Sequence, residues 1–278
     1  MLIDSHHHLW KYSAEEYGWI SDAMSILRQD FLAQQLGEIA DENHVDGFVS
    51  VQARQDVREN DALLAIASEE PRIKGIVGWV PFAESNVVES LEKYSADERI
   101  KGFRHVVQDE PDDRFLLRDD FNRGISAMRP FDLVYDILIF AKHLPATLEF
   151  VDKHPDQRFV LDHIAKPTIR GDRFDDQWET HLRSLARREN VTCKFSGVVT
   201  EVRDEAWTTA MIRRYFDVTM EAFTPKRVMF GSDWPVCLLQ AEYTQWLTTV
   251  RELAGQLSGN EQDQLFGQTA VDAYRLAI

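Results

Sequence analysis

Short apolar runs recur along this chain at intervals that leave room for a helix after each. They are Leu2–His6, Gly47–Gln52, Ile73–Val80, Ile100–Val107, Leu133–Phe140, Arg158–His163, Val191–Ser196 and Val228–Asp233, with starts roughly 25 to 45 residues apart. The runs are nearly continuously apolar, as strands covered on both faces are. The stretches between them read as helices. Phe31–Asn43 sets Phe31, Leu32, Leu36, Ile39 and Ala40 on one side. Asp61–Glu70 stops before Pro71 and Leu144–His154 before Pro155, as helices do. Trp178–Glu189 and Ala206–Phe223 complete similar units. Eight strand–helix units predict an α/β fold, a (β/α)8 TIM-like barrel, with residues 1–278 as one domain. The competitor is an open, doubly wound sheet, but no Gly-x-Gly-x-x-Gly follows any strand. The stretch Leu9–Asp30, with Trp10, Tyr12, Tyr17 and Trp19, is too long for a turn and reads as a loop over the barrel mouth.

Composition narrows the function classes. A net charge of -16 argues against nucleic acid and anionic membrane surfaces, which attract basic patches. It leaves an anionic small molecule open, since a local arginine overrides the global field. Cys193 and Cys237 make no disulfide framework and are expected as reduced, buried thiols in a cytoplasmic protein. Met1–Lys11 carries no secretory pattern, and no run approaches the ~18 apolar residues of a spanning helix. A homo-oligomer is compatible with the sequence.

Barrel enzymes build their sites at the C-terminal ends of the strands. Those ends carry His6 and His8, Gln52, Trp79, Arg104-His105, Asp136, Asp162-His163, Lys194 and Asp233-Trp234-Pro235. Burying so many ionisable groups is costly unless they are paired or used. Strand alternation directs Asp4, His6 and His8 to one face, where two imidazoles can grip a divalent ion or polarise a substrate oxygen. His7 then points to the helical layer. Alternation also sends Arg104 inward and leaves His105 uncertain. His44, His143, His154 and His181 are expected as ordinary surface residues, and Asp109–Asp113 as a solvated loop.

The motifs Asp4-Ser5-His6-His7-His8 and Met229-Phe230-Gly231-Ser232-Asp233-Trp234-Pro235 resemble the amidohydrolase superfamily. Gly102-Phe103-Arg104-His105-Val106-Val107-Gln108, Val160-Leu161-Asp162-His163-Ile164-Ala165-Lys166-Pro167 and Cys193-Lys194-Phe195-Ser196-Gly197 resemble its branch of sugar lactonases. The resemblance runs nearly end to end. It implies a catalytic set of Asp233, His163, His6 and His8, with Asp233 activating water for attack on a lactone carbonyl. Arg104 resembles an arginine that meets substrate oxygens. Two-metal members carry a lysine or glutamate on the fourth strand and a histidine on the fifth. Here Arg104-His105 and Asp136 stand there, and arginine is a poor ligand because it stays protonated. The resemblance therefore implies one divalent ion, most naturally zinc, at His6, His8 and Asp233, or no metal.

A polyhydroxylated lactone also needs hydroxyl recognition. By position, Gln52, His105, Asp136 and Lys194 offer donors and acceptors, and Trp79 or Trp234 a surface for the sugar ring. Asp162 reads as a structural partner. Two other classes stay open: a metal-dependent decarboxylase of aromatic acids, and a non-catalytic binding protein on the same scaffold.

Overall fold

The structure, a computed structural model, describes residues 1–204 and 206–278. Its strands are β1 (Ile3–His7), β2 (Gly47–Val51), β3 (Ile73–Gly78), β4 (Ile100–Val106), β5 (Val134–Leu138), β6 (Phe159–Leu161), β7 (Val191–Phe195) and β8 (Val228–Phe230). All neighbours pair in parallel and in chain order. The seam between first and last strand is closed just beyond β8. There Asp233 N donates to His6 O (2.8 Å) and His8 N donates to Trp234 O (2.7 Å). Helices follow the strands: α1 (Ala33–Asn43), α2 (Val57–Glu69), α3 (Val87–Ser95), α4 (Asp119–Met128), α5 (Leu144–Lys153), α6 (Asp176–Leu185), α7 (Thr209–Phe223) and α8 (Tyr243–Leu253). Short helices α9 (Gly259–Asp263) and α10 (Thr269–Tyr274) end the chain. The expected (β/α)8 barrel is the fold.

Strand alternation divides the apolar residues into two cores. Phe48, Ile76, Phe103, Tyr135, Leu161 and Phe195 face the helical layer. Ile3, Val49, Val51, Val77, Val134, Val160 and Met229 fill the barrel, together with Ala270, Tyr274 and Leu276 from the C-terminal segment. That segment is held across the strand beginnings, where Arg158 Nη1 donates to Ala273 O (2.7 Å) and Lys101 Nζ to Arg275 O (3.2 Å). The barrel is thus plugged at its N-terminal end and open to chemistry at the other.

Several boundaries differ from the sequence reading for local reasons. β6 and β8 stop before Asp162 and Asp233, because His163 (φ 52°) and Asp233 (φ 59°) take left-handed backbone. Helix α2 begins before Asp61, where Asp56 accepts from Arg58 N (2.9 Å) as its N-cap. Helix α7 begins after Ala206, where the Thr208 hydroxyl accepts from Met211 N (3.3 Å). Phe31 lies outside α1: it exchanges backbone hydrogen bonds with Trp10 (2.8 and 2.9 Å). That bridge ties the Leu9–Asp30 segment down beside the barrel mouth. Among the described residues, no helix is long and apolar enough to cross a membrane.

The loop after β2 is held by one buried carboxylate. Glu59, 2% exposed, accepts from Ala53 N (3.0 and 3.1 Å) and from Arg54 N (3.0 Å). Burial raises its pKa from 4.5 to about 7, against the pull of those amides and of Arg54. Between these values the folded protein binds a proton that the unfolded chain releases. Glu59's contribution to stability is therefore complete below the unfolded value and lost as pH rises through the folded one, by about 3 kcal/mol. Urea unfolding of wild type and Glu59→Gln at pH 5 and pH 8 isolates it. The wild-type advantage should fall by about 2.5 kcal/mol between the two pH values; a pH-independent difference would exclude the linkage.

Candidate active site

The first strand carries two histidines to the floor of the mouth. Its pairing with β2 shifts register between Asp4 and His7. Asp4 for that reason does not join His6 and His8, contrary to simple alternation. Its Oδ1 instead accepts from Ser232 N (2.8 Å) and His6 N (3.1 Å). His7 turns outward to Ser50 Oγ (2.9 Å) and the Phe48 ring. His8 Nδ1 lies 2.8 Å from Val51 O. A carbonyl only accepts, so Nδ1 carries the proton and the Nε2 lone pair faces the site. His6 Nε2 and His8 Nε2 are 3.2 Å apart. Asp233 Oδ1 lies 3.4 Å from His8 Nε2, 3.7 Å from His6 Nε2 and 3.9 Å from His163 Nε2.

Beneath this floor is a layer of buried charge. Arg104 donates through Nε and Nη2 to Gln52 Oε1 (3.0 and 2.6 Å) and through Nη1 to Asp162 Oδ2 (2.9 Å). Its Nη1 also stands 3.3 Å from His6 Nε2. Lys194 Nζ reaches Asp136 Oδ2 (2.6 Å), Asp162 Oδ1 (3.0 Å) and His6 Nδ1 (3.2 Å). The Tyr274 hydroxyl donates to Asp136 Oδ2 (2.7 Å). Burial raises Asp136 to about 6, while Asp162, although equally buried, is drawn well below the usual carboxylate range by Lys194, His6 and Arg104. Burial also lowers the pKa of His6 well below that of free imidazole.

The layer revises several sequence assignments. Lys194 and Asp136 are fully buried and paired through Asp136 Oδ2, so they underlie the site rather than line it. Gln52 spends its carboxamide oxygen on Arg104. Of the adjacent pair on β4, Arg104 faces inward. His105 turns to the outer layer, where its Nδ1 accepts from Trp79 Nε1 (3.3 Å), its Nε2 meets Glu110 (2.6 Å) and its ring stacks on Phe115. Trp79 is engaged there too, and Trp234 packs edge-on against Phe31. Neither tryptophan lines the cavity. His143, expected at the surface, is buried: its Nδ1 accepts from Phe140 N (3.1 Å).

His163 stands on unusual backbone. It and the next three residues, Ile164, Ala165 and Lys166, all have left-handed φ, between 46° and 62°. This costs about 1–2 kcal/mol per non-glycine residue, and strain of this kind clusters at functional sites. The turn is pinned by Lys166 N donating to His163 O (2.8 Å) and Trp178 Nε1 donating to Ile164 O (2.7 Å). His163 Nδ1 pairs with Ser196 Oγ (2.9 Å), which turns Nε2 toward Asp233. Burial lowers His163 to about 4. Burial pushes the Asp233 carboxyl up, but His163, His8 and Lys166 outweigh it and hold the net value below 3.8.

Above the floor opens a cavity of about 530 Å³. His8, Arg104, His163 and Asp233 reach it, joined by Gln108 and Lys166, which the sequence motifs contained without a role, and by Arg54, Phe140, Glu201 and Arg203, which sequence did not single out. All lie past a strand end. Position alone was the signal available, because loops after barrel strands line the mouth. Trp19 and Met24 of the N-terminal segment form part of the wall. Small space governs one side. Gly197 has φ +62°, and a Cβ there would stand 2.5 Å from His163 Nδ1 and 2.9 Å from Asp233 Oδ2. Gly197→Ala should therefore displace both side chains and cut kcat about 100-fold, since about 1 Å of misplacement costs that much. Steady-state kinetics on the folded variant measures it, and turnover within threefold of wild type would refute it.

The donors fit a single metal ion. Tetrahedral zinc holds nitrogen and oxygen ligands at about 2.0–2.2 Å, which sets them about 3.3–3.6 Å apart. The His6, His8 and Asp233 separations of 3.2, 3.4 and 3.7 Å fall within about 0.1 Å of that range. His6, Asp162 and His163 form a second close group, but Asp162 is committed to Arg104 and Lys194.

This arrangement has close relatives. An L-fucono-1,5-lactonase of Burkholderia multivorans is 38% identical, over 99% of this chain and 96% of the relative. An L-fucono-1,5-lactonase of Burkholderia ambifaria is 30% identical, over 99% and 95%. A crystal structure of a Burkholderia multivorans amidohydrolase with bound zinc superposes with a TM-score of 0.95 at 37% identity, over 100% of both chains. The amidohydrolase sequence profile matches residues 3–276, nearly the whole barrel, and the chain belongs to the amidohydrolase family.

Proposed function

We propose that this protein hydrolyses a sugar lactone of the L-fucono-1,5-lactone type, with Asp233 activating the water. The observation that carries the reading is the convergence of three imidazoles on Asp233, with His8, His163 and Asp233 lining the cavity and His6 directly behind them. Full-length similarity to proteins named L-fucono-1,5-lactonase supports the substrate class.

Lactone opening needs a nucleophilic water and stabilisation of charge developing on the carbonyl oxygen. Asp233 Oδ1 is the carboxylate oxygen that faces three imidazoles, and its base role is to take a proton from water beside them. His163, with its Nε2 toward Asp233 and Nδ1 on Ser196, orients the carboxylate. His6, His8 and Arg104 surround the place where the carbonyl oxygen would rest. The proton on Asp233 is then available to the departing ring oxygen. A zinc ion held by His6, His8 and Asp233 would supply Lewis-acid polarisation of the carbonyl. The decarboxylase alternative requires a fuller ligand set, and the fourth- and fifth-strand positions are taken here by Arg104 and Asp136, both locked in the charge layer.

Asp233→Asn should leave the fold intact and lower kcat by about 10²–10⁴, the range for losing a general base. A pH-indicator assay of proton release with L-fucono-1,5-lactone tests it. Near wild-type turnover would end the assignment. For the metal, equilibrium dialysis should find one zinc per chain and none in His8→Asn, while a second equivalent would contradict the engagement of Arg104 and Asp136.

A further inference from the structure

The left-handed turn that presents His163 presents a second side chain. In one helical turn, residues three apart lie on the same face. Lys166 accordingly lines the cavity along with His163, while Ile164 and Ala165 between them are wholly buried. Lys166 differs from the other cations that reach the cavity among the described residues. Arg54 pairs with Glu16 at 2.5 Å, Arg104 with Asp162 at 2.9 Å and Arg203 with Glu201 at 2.6 Å. Lys166 Nζ stands 3.9 Å from Glu201 Oε1, beyond hydrogen-bond reach, and Glu201 already has Arg203. The ammonium has three donors, and its nearest carboxylate meets none of them at bonding distance.

Building on the lactonase reading, we propose that Lys166 is the anion-holding residue of the cavity, taking the carboxylate formed when the ring opens. In that reaction water adds to the carbonyl carbon and the bond to the ring oxygen breaks. The ring oxygen leaves as a hydroxyl with one proton, and the acid formed releases another to solvent. The neutral substrate has no group that calls for an ammonium ion, whereas the aldonate product does. Product thus competes with Glu201 for Lys166, and Arg203 keeps Glu201 compensated when Lys166 turns away. The lysine makes the enzyme sensitive to its own product.

The test compares inhibition by L-fuconate with the KM for its lactone. In Lys166→Met the ratio of Ki to KM should rise at least about tenfold, as expected for losing a charge-assisted hydrogen bond. Lys166→Arg should return it to within about threefold of wild type, and Glu201→Gln should lower Ki. A ratio unchanged in Lys166→Met, or unrestored in Lys166→Arg, would overturn the proposal, since a merely structural lysine moves both constants together. If the wild type opens no lactone, the functional reading fails by itself. Calorimetric titration of wild type and Lys166→Met with L-fuconate then still judges Lys166: a tenfold loss of affinity supports it, and equal or absent binding in both overturns it.

Discussion

Beneath the cavity floor, His6 and Arg104 are held by a charge network centred on an ammonium group buried in the barrel. Lys194 is 0% exposed, as are Asp136 and Asp162 on either side of it. A lone charge at that depth would cost several kcal/mol, and only close partners offset it. Here the partners come from four parts of the chain outside its own strand β7: His6 on β1, Asp136 on β5, Asp162 in the turn after β6 and, through Asp136, Tyr274 of the C-terminal helix. The pairing therefore does more than neutralise charge. It registers the C-terminal plug against the strands, and it aims Asp162 at Arg104 from below. Arg104 is in turn drawn to Gln52, and its Nη1 is left beside His6. The position of the His6 ring follows from this layer, whereas His8 is set by Val51 O and by the seam.

How much of this could be read from sequence depended on depth. Alternation along β4 correctly separated Arg104 from His105, since a regular strand has a strict period. It failed at Asp4, where the pairing of β1 with β2 slips, and a slip of that kind leaves no mark in residue order. Lys194 and Asp136 show the second difficulty. Both interrupt apolar strands as site residues do, but each lies within a strand, whereas His163 and Asp233 lie past the ends of theirs. Polarity near a strand end announces that a charge is buried, and not which layer of the barrel holds it. The cavity residues Glu201 and Arg203 were hidden for a different reason: they sit on a loop whose course no periodicity describes, and Lys166 was visible as part of a motif without a role.

The base of the proposed reaction stands on the seam that closes the barrel. Asp233 N and Trp234 O bond to His6 O and His8 N, so the backbone that joins last strand to first also sets Asp233 against both histidines. Left-handed backbone at Asp233 and His163, and at Gly197 between them in space, brings their side chains together within about the width of a water molecule and its hydrogen bonds. Such backbone is costly, and it is retained here where relaxing any one residue would move another. Asp233 cannot shift without loosening the seam, whereas Arg54 and Gln108 reach the cavity from loops past the ends of β2 and β4. The division assigns reactivity to the closed, strained floor and choice of ligand to the open wall.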